Sequence, residues 1–312
     1  MMWEYTGRVV GPEVLPPGFS HLTGPYGVDI GGTLRIFFTS RRKTEGKSLE
    51  SVPFFIDVDP DTLECLSSAV EVRYPKAELG SYRVHGVFPL SVFDLGSGAL
   101  MGLPTGWRRH KGVDVETGIG EWLSLDGGVS WSEFGIGPKF SAGQNEPFLV
   151  CDASYQFFNN RHFLAYAYGV SWDLDVHSEP QRRYLITVIN ERSYGKLRLG
   201  AAHSSIPLSL VNEVQAFPHI SISGGEMRMF FCYRSEFDFR SDTNSSYKLA
   251  LATSVDGEKW VRESPSLEIK FGDGATKMQC YPTYLKINDR GILLFNGDGF
   301  GRTGIYAAYE RS

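Results

Sequence analysis

Four cysteines in 312 residues, no surplus of basic charge and no long apolar run set the first limits on this chain. Cys65, Cys151, Cys232 and Cys280 lie far apart and form no C-x-x-C pair, so the usual spacing of a zinc site is absent. Three of them fall inside apolar runs (FLVC, FFCY, MQCY), where reduced, buried thiols of a cytosolic protein are expected. Lys and Arg number 31 against 36 Asp and Glu, a net charge of -5, which lacks the basic excess of a general nucleic-acid binder. No apolar stretch approaches the roughly 18 residues of a membrane span. The start, MMWEYTGRVVGPE, has no basic segment followed by an apolar one, so no signal peptide and a cytoplasmic setting are expected. No His, Asp and Glu cluster shows metal-ligand spacing, so neither a metal nor a cofactor is expected. Helical periodicity sustained over a dozen residues is also missing.

What the chain has is glycine (35), aromatics (13%) and a repeat. A strand-like run with a proline recurs at Pro25, Pro89, Pro147, Pro218 and Pro282, at intervals of 64, 58, 71 and 64 residues. Each is followed by a turn and a second apolar run: TLRIFFTSR, ALMGLPTGW, RHFLAYAYG, MRMFFCYR and GILLFNG. A third follows: VPFFIDVD, GIGEWLSLDGG, RRYLITVIN, YKLALATSVDG and GIYAAYE. Short β-branched and aromatic runs bounded by Gly, Asp and Asn are strands. One strand order repeated five times predicts an all-β, five-bladed propeller, a single domain of blades with three to four antiparallel strands. The blades fall at about 20–79, 80–140, 141–211, 212–272 and 273–312 plus 1–12. The last unit is a strand short, and Trp3–Val10 is placed to supply it and close the ring, leaving no open sheet edge. The turns Ser124–Trp131 (SLDGGVSW) and Ser254–Trp260 (SVDGEKW) carry an aspartate that can bond its own turn, a glycine and a packing tryptophan, so Asp126 and Asp256 are read as scaffold.

In a propeller the inner strands line an axial channel, and ligands bind where one end opens. The residues before the five prolines, Gly24, Phe88, Glu146, Phe217 and Tyr281, should face that mouth. Two steps back on the same face lie Gln144, Gln215 and Gln279, with Glu213 and Lys277 near them. The second strands end at Arg41, Trp107, Trp172, Arg234 and Asn296. Aromatic faces stack on sugar rings, and carboxylates and amides bind hydroxyls. Arginine offers a forked donor to phosphate or carboxylate.

This pattern resembles the five-bladed glycosidase superfamily of arabinanase, xylosidase, invertase and levansucrase type. The later units (NEVQAFPHISI, MRMFFCYRSEFDFR, MQCYPTYL, LFNGDGFGRTGIYAAYE) are most similar to glycosidase-like propellers of bacterial surface-polysaccharide gene sets. The resemblance implies three carboxylates: a base on blade one, a pKa-tuning acid on blade three and a general acid on blade four. Glu146 stands at the blade-three place and Glu213 near the blade-four place, while Gly24 replaces the blade-one acid. Two carboxylates are the minimum for acid/base glycoside cleavage. Two functions stay open. The first is hydrolysis of a glycosidic or sugar-phosphate bond in an acidic or nucleotide-linked sugar, with Glu213 as acid and Glu146 as base or nucleophile. The second is a non-catalytic carbohydrate-binding propeller. In either case the substrate-binding candidates are Arg41, Trp107, Gln144, Trp172, Gln215, Arg234, Gln279 and Asn296. Carbohydrate or a nucleotide sugar is the expected partner, with no nucleic acid and no membrane span.

Overall fold

The computed structural model describes residues 2–44, 49–78, 80–110, 113–135, 137–143, 146, 148–174, 180–190 and 204–311, with backbone only at 110, 113–114, 172–174 and 180–181. The chain opens with β1 (Met2–Val10). Blade one contains β2 (Phe19–Ile30), β3 (Thr33–Lys43), β4 (Leu49–Val58) and β5 (Val70–Glu71). Blade two contains β6 (Val87–Gly96), β7 (Ala99–His110), β8 (Val113–Ile119), β9 (Trp122–Ser124), β10 (Ser132–Glu133) and β11 (Phe140–Ser141). Its third strand is split, because β8 and β9 pair with successive parts of β7. Blade three contains β12 (Val150–Phe158), β13 (Arg161–Leu174) and β14 (Pro180–Asn190). Blade four contains β15 (Glu213–Ser223), β16 (Glu226–Ser235), β17 (Lys248–Ser254) and β18 (Val261–Arg262). Blade five contains β19 (Cys280–Ile287), β20 (Arg290–Asn296) and β21 (Ile305–Arg311), and β1 completes it by pairing antiparallel with β21 from Met2↔Arg311 to Val10↔Ile305.

The first strands of the five blades touch in a closed cycle, β2 to β6, β12, β15, β19 and back to β2, so they surround one axis. Blades pack face on face, and the apolar core is divided among the five junctions. Val10, Leu22, Phe38, Ile292 and Ile305 fill the joint between blades five and one. Tyr26, Phe37, Val87, Leu90 and Trp131 fill that between one and two, and Leu103, Ile119, Tyr166 and Tyr168 that between two and three. Phe163, Ile186, Met229 and Phe231 separate three from four, and Phe230, Phe239, Tyr284, Phe295 and Trp3 separate four from five. A strand covered on both faces needs apolar residues on both, which is why Val52–Ile56 of β4 is one apolar run; β15 is buried as continuously from Glu213 to Ile220 but carries Glu213, Gln215 and His219 in that stretch.

Both aspartate turns are scaffold. Asp126 accepts from Ser130 N at 2.9 Å and Ser130 Oγ at 2.6 Å, and Trp131 Nε1 donates to Gly128 O at 2.9 Å. Asp256 repeats the scheme with Glu258 N and Lys259 N, both at 2.8 Å, and Trp260 Nε1 donates to Gly257 O at 3.1 Å. The four cysteines are free thiols, and Cys65 is the exposed one.

The inner strands share a feature that proline marks only in part. Each carries a register break against its neighbour: Thr23/Tyr26, Val87/Leu90, Cys151/Ser154, Ala216/His219 and Cys280/Thr283. The residues inside the breaks are Gly24-Pro25, Phe88-Pro89, Asp152-Ala153, Phe217-Pro218 and Tyr281-Pro282. They recur every 64, 64, 65 and 64 residues. The five-proline repeat therefore needs correction on blade three. Pro147 precedes β12, lies outside the described residues, and has Ala153 as its structural counterpart.

Candidate functional site

A β-bulge leaves one residue out of the ladder and re-aims its side chain. Four of the five bulge residues adopt positive φ: Gly24 (64°), Asp152 (57°), Phe217 (57°) and Tyr281 (58°). For the three with side chains this conformation costs of order 1–3 kcal/mol, and such outliers collect where a side chain must be aimed. Here they aim at the axis. The rings of Phe88, Phe217 and Tyr281 form its floor, with centroid separations of 6.4 Å (Phe88–Phe217), 5.4 Å (Phe88–Tyr281) and 4.9 Å (Phe217–Tyr281). Phe217 and Tyr281 are buried and Phe88 is half-buried, so Phe88 presents the accessible part of the floor. A Cβ on Gly24 would stand 2.9 Å from Phe217 Cζ and 3.2 Å from Phe88 Cε2. The aromatic floor thus occupies the space that a blade-one side chain would need.

Asp152 is the carboxylate of this ring of bulges. Its own N–H donates to Thr105 Oγ1 at 3.1 Å, and its carboxyl is bonded by the Cys151 thiol and the Phe217 N–H. Burial dominates these bonds and pushes its pKa up to about 6. Burial likewise pushes the Tyr247 and Tyr281 hydroxyls well above the ordinary tyrosine range, so both are neutral donors.

Around the floor stands a rim of stacked aromatics and arginines. Arg41 lies 5.9 Å above the Phe88 ring. His85 stacks on Trp107 at 5.1 Å and 27°. Tyr184 and Tyr247 share a hydroxyl–hydroxyl bond of 2.7 Å, and Tyr247 leads to Tyr281 at 6.1 Å. Arg234 is packed 3.7 Å over Phe239 and 5.4 Å over Tyr247. On its outer side a cavity of about 290 Å³ is lined by Ser209, Tyr233, Ser235, Asn244 and Lys248. Among the described residues no three His, Cys, Asp or Glu side chains converge where they could share a metal ion.

The residues expected from sequence fall into three groups. Arg41 and Trp107 are partly exposed on the rim. A second group is engaged by the scaffold. Asn296 is fully buried, accepting from Gly24 N at 2.8 Å and donating to Leu22 O and Gly304 O. Gln215 is also fully buried and bonds Ile206 O, Ser204 Oγ and Glu213 Oε1. Gln279 donates to Ala275 O. Arg234 donates to the carbonyls of Ser235, Glu236 and Arg182. Glu213 has no exposed surface and both carboxylate oxygens are used: Oε1 by Arg262 Nη1 at 2.7 Å and Gln215 Nε2 at 2.9 Å, Oε2 by Ser209 N at 3.0 Å and Ser209 Oγ at 2.6 Å. Glu146 stands six residues before Asp152, where its Oε1 accepts from Tyr166 Oη at 2.7 Å, a side chain of the joint between blades two and three. Gln144 and the side chain of Trp172 lie outside the described residues.

Asp152 escaped a search keyed on proline because Ala153 follows it. A search keyed on the interval finds it, since counting 64 from Phe88 reaches 152.

The arrangement can be set beside known proteins. No family model matches the chain. Over 316 aligned residues it is 24% identical to the uncharacterized protein Rv1502 of Mycobacterium tuberculosis, covering 97% of each chain. Among solved structures, a glycoside hydrolase aligns over 99% of this chain and 91% of its own at a TM-score of 0.69 and 12% identity. A thermostable family-43 glycoside hydrolase aligns over 96% and 91% at 0.62 and 9%. An exo-1,5-alpha-L-arabinanase from a bovine ruminal metagenomic library aligns over 93% and 92% at 0.53 and 12%. The fold is that of the glycoside hydrolase five-bladed propellers. Within this glycosidase-like propeller the aromatic floor, Asp152 and the arginine rim lie together at the axial mouth.

Proposed function

We infer that this glycosidase-like propeller binds a carbohydrate at the axial mouth and does not cleave it by a pair of carboxylates. One observation carries the reading: Gly24 replaces the blade-one acid, and the Phe217 ring from blade four fills the space beside it. Of the three bulges where the resemblance implies acids, only blade three presents one, Asp152. Acid/base cleavage needs a second carboxyl across the scissile bond. The half-exposed faces of Phe88 and Trp107 suit the apolar face of a sugar ring, and Arg41 suits an acidic or nucleotide-linked sugar. Such sugars are met in the cytoplasm, where surface polysaccharides are assembled.

The test is calorimetry and turnover on one panel of neutral, uronic and nucleotide-linked sugars and aryl glycosides. The expected result is saturable binding without product, weakened by Trp107→Ala and Phe88→Leu. The hydrolytic reading, with Glu213 as acid and Glu146 as base, draws support from the fold and from the acid poised near neutrality at Asp152. Turnover that Glu146→Gln or Glu213→Gln abolishes, in variants that still melt cooperatively, would establish it instead.

A further inference from the structure

The rim carries arginines that the rest of the molecule leaves unneutralised. On β3, Arg42 is held by Glu50 at 2.8 Å, while Arg41, one residue back and so on the opposite face, leans over Phe88. Among the described residues Arg41, Arg240 and Arg302 form no ion pair. Several arginines elsewhere are matched at close range, Arg35 by Asp57, Arg83 by Glu133 and Arg262 by Glu213, each at 2.7 Å, while Arg183 and Arg290 are held by carbonyl oxygens instead.

Arg41, Arg240 and Arg302 are linked in an arc around the rim. Arg240, in the loop after β16, lies 4.3 Å over Phe239 and 5.9 Å over Phe300, the ring two residues before Arg302. Arg302 and Arg41 both act on His21, whose Nδ1 lies 3.0 Å from Ser20 Oγ. Burial and then these two guanidiniums pull that imidazole down to about 4. Next to Arg240 the charge is denser still, since Arg182 is pulled down by burial and then by repulsion from Arg240 and Arg234. Asp238 lies two residues before Arg240 and Asp298 four before Arg302, yet among the described residues neither pairs with them, and Asp298 accepts from the Lys277 and Met278 N–H groups instead. Gathering like charges is unfavourable unless something of opposite sign joins them, and an unscreened patch of one sign steers such a ligand inward.

We propose that Arg240, Arg302 and Arg41, running across blades four, five and one, read a ligand bearing two or more negative groups, an acidic oligosaccharide or a sugar diphosphate. The sugar part of this statement rests on the carbohydrate reading above, but the arc's demand for several negative groups does not. Forked guanidiniums grip carboxylate and phosphate alike, and three of them drawn from three blades match more than one negative group.

Calorimetry with four probes decides it: a tri-uronate, a uridine diphosphate sugar, a neutral trisaccharide and inorganic pyrophosphate. At low salt at least one multiply charged probe should bind about tenfold or more tighter than the neutral one, a difference of about 1.4 kcal/mol. The advantage should shrink as salt is raised, because these side chains are exposed or half-exposed. Arg41→Gln, Arg240→Gln and Arg302→Gln should each cost several-fold for the charged probe and nothing for the neutral one, with unchanged melting. Whichever charged probe binds tighter tells carboxylate from phosphate. Neutral and charged sugars binding equally, or all three variants binding like the parent, would overturn the arc and leave the carbohydrate reading standing. Pyrophosphate bound and lost in the variants, with no sugar adding affinity, would keep the arc and remove the carbohydrate reading. No binding by any probe would remove both.

Discussion

Replacing Gly24 by alanine isolates the packing conflict at the centre of the mouth. The residue sits at φ 64°, where an L side chain costs about 1–2 kcal/mol relative to glycine. The new methyl would stand 2.9 Å from Phe217 Cζ, inside any ordinary contact, and forcing a ring aside in a packed site costs about 1–3 kcal/mol. The expected total is about 2–5 kcal/mol. In a Phe217→Leu background the offending ring tip is gone, so only the backbone term and a smaller clash with Phe88 should remain, about 1–2 kcal/mol. Urea unfolding of the four proteins, followed by far-UV circular dichroism, measures both costs. The coupling should be favourable to the double variant by about 1–3 kcal/mol. Equal costs of Gly24→Ala in the two backgrounds, within about 0.5 kcal/mol, would refute the claim that Phe217 excludes a blade-one side chain.

Other perturbations report on separate parts of the molecule. Asp152→Asn should stabilise the protein at pH 8 by up to about 3 kcal/mol, because raising a carboxyl to about 6 from 3.8 means that ionisation opposes folding above pH 6. The sign follows directly: wild-type stability from this group is full below about pH 4 and lost as pH rises through 6, so the two proteins should converge in acid. Identical pH–stability curves for both would contradict it. Arg262→Ala strands the fully buried Glu213 and should cost about 3–5 kcal/mol, with Glu213→Gln plus Arg262→Met recovering much of the loss in thermal melts. Removing residues 2–10 takes away the outer partner of β21, leaving it paired with β20 alone, and removes the Trp3 ring that packs edge-on to Phe230 at 5.8 Å, so the product should fail to melt cooperatively. A truncated protein that melts like the full chain would show that β1 is dispensable.

The architecture was legible because it depends on repetition. The second and third apolar runs of every unit coincide with observed strands, and Trp3–Val10 closes the ring as its missing-strand arithmetic requires. The site was less legible, for two physical reasons. A bulge is a backbone event that proline accompanies without causing, so blade three, with Ala153 after Asp152, carries the bulge and not the marker. Polarity in a sequence also does not reveal where a hydrogen bond is made. Gln215 and Asn296 stand at the mouth ends of their strands, yet their amides are drawn to the buried carbonyls Ile206 O, Leu22 O and Gly304 O, which need partners away from water. Arg41 and Arg42 are indistinguishable as letters. Strand alternation sends one to Glu50 and the other over Phe88.

The pairing of β1 with β21 dictates an order of events during synthesis. Met2–Val10 leaves the ribosome before Ile305–Arg311 and must wait for it to gain its ladder. Until then the nascent chain holds an unclosed set of blades with Leu22, Phe38 and Val10 facing water where Ile292 and Ile305 will later stand. Such a chain offers bare apolar surface and an unpaired edge to its neighbours until β21 emerges, so slow elongation or crowding of polysomes should promote its aggregation.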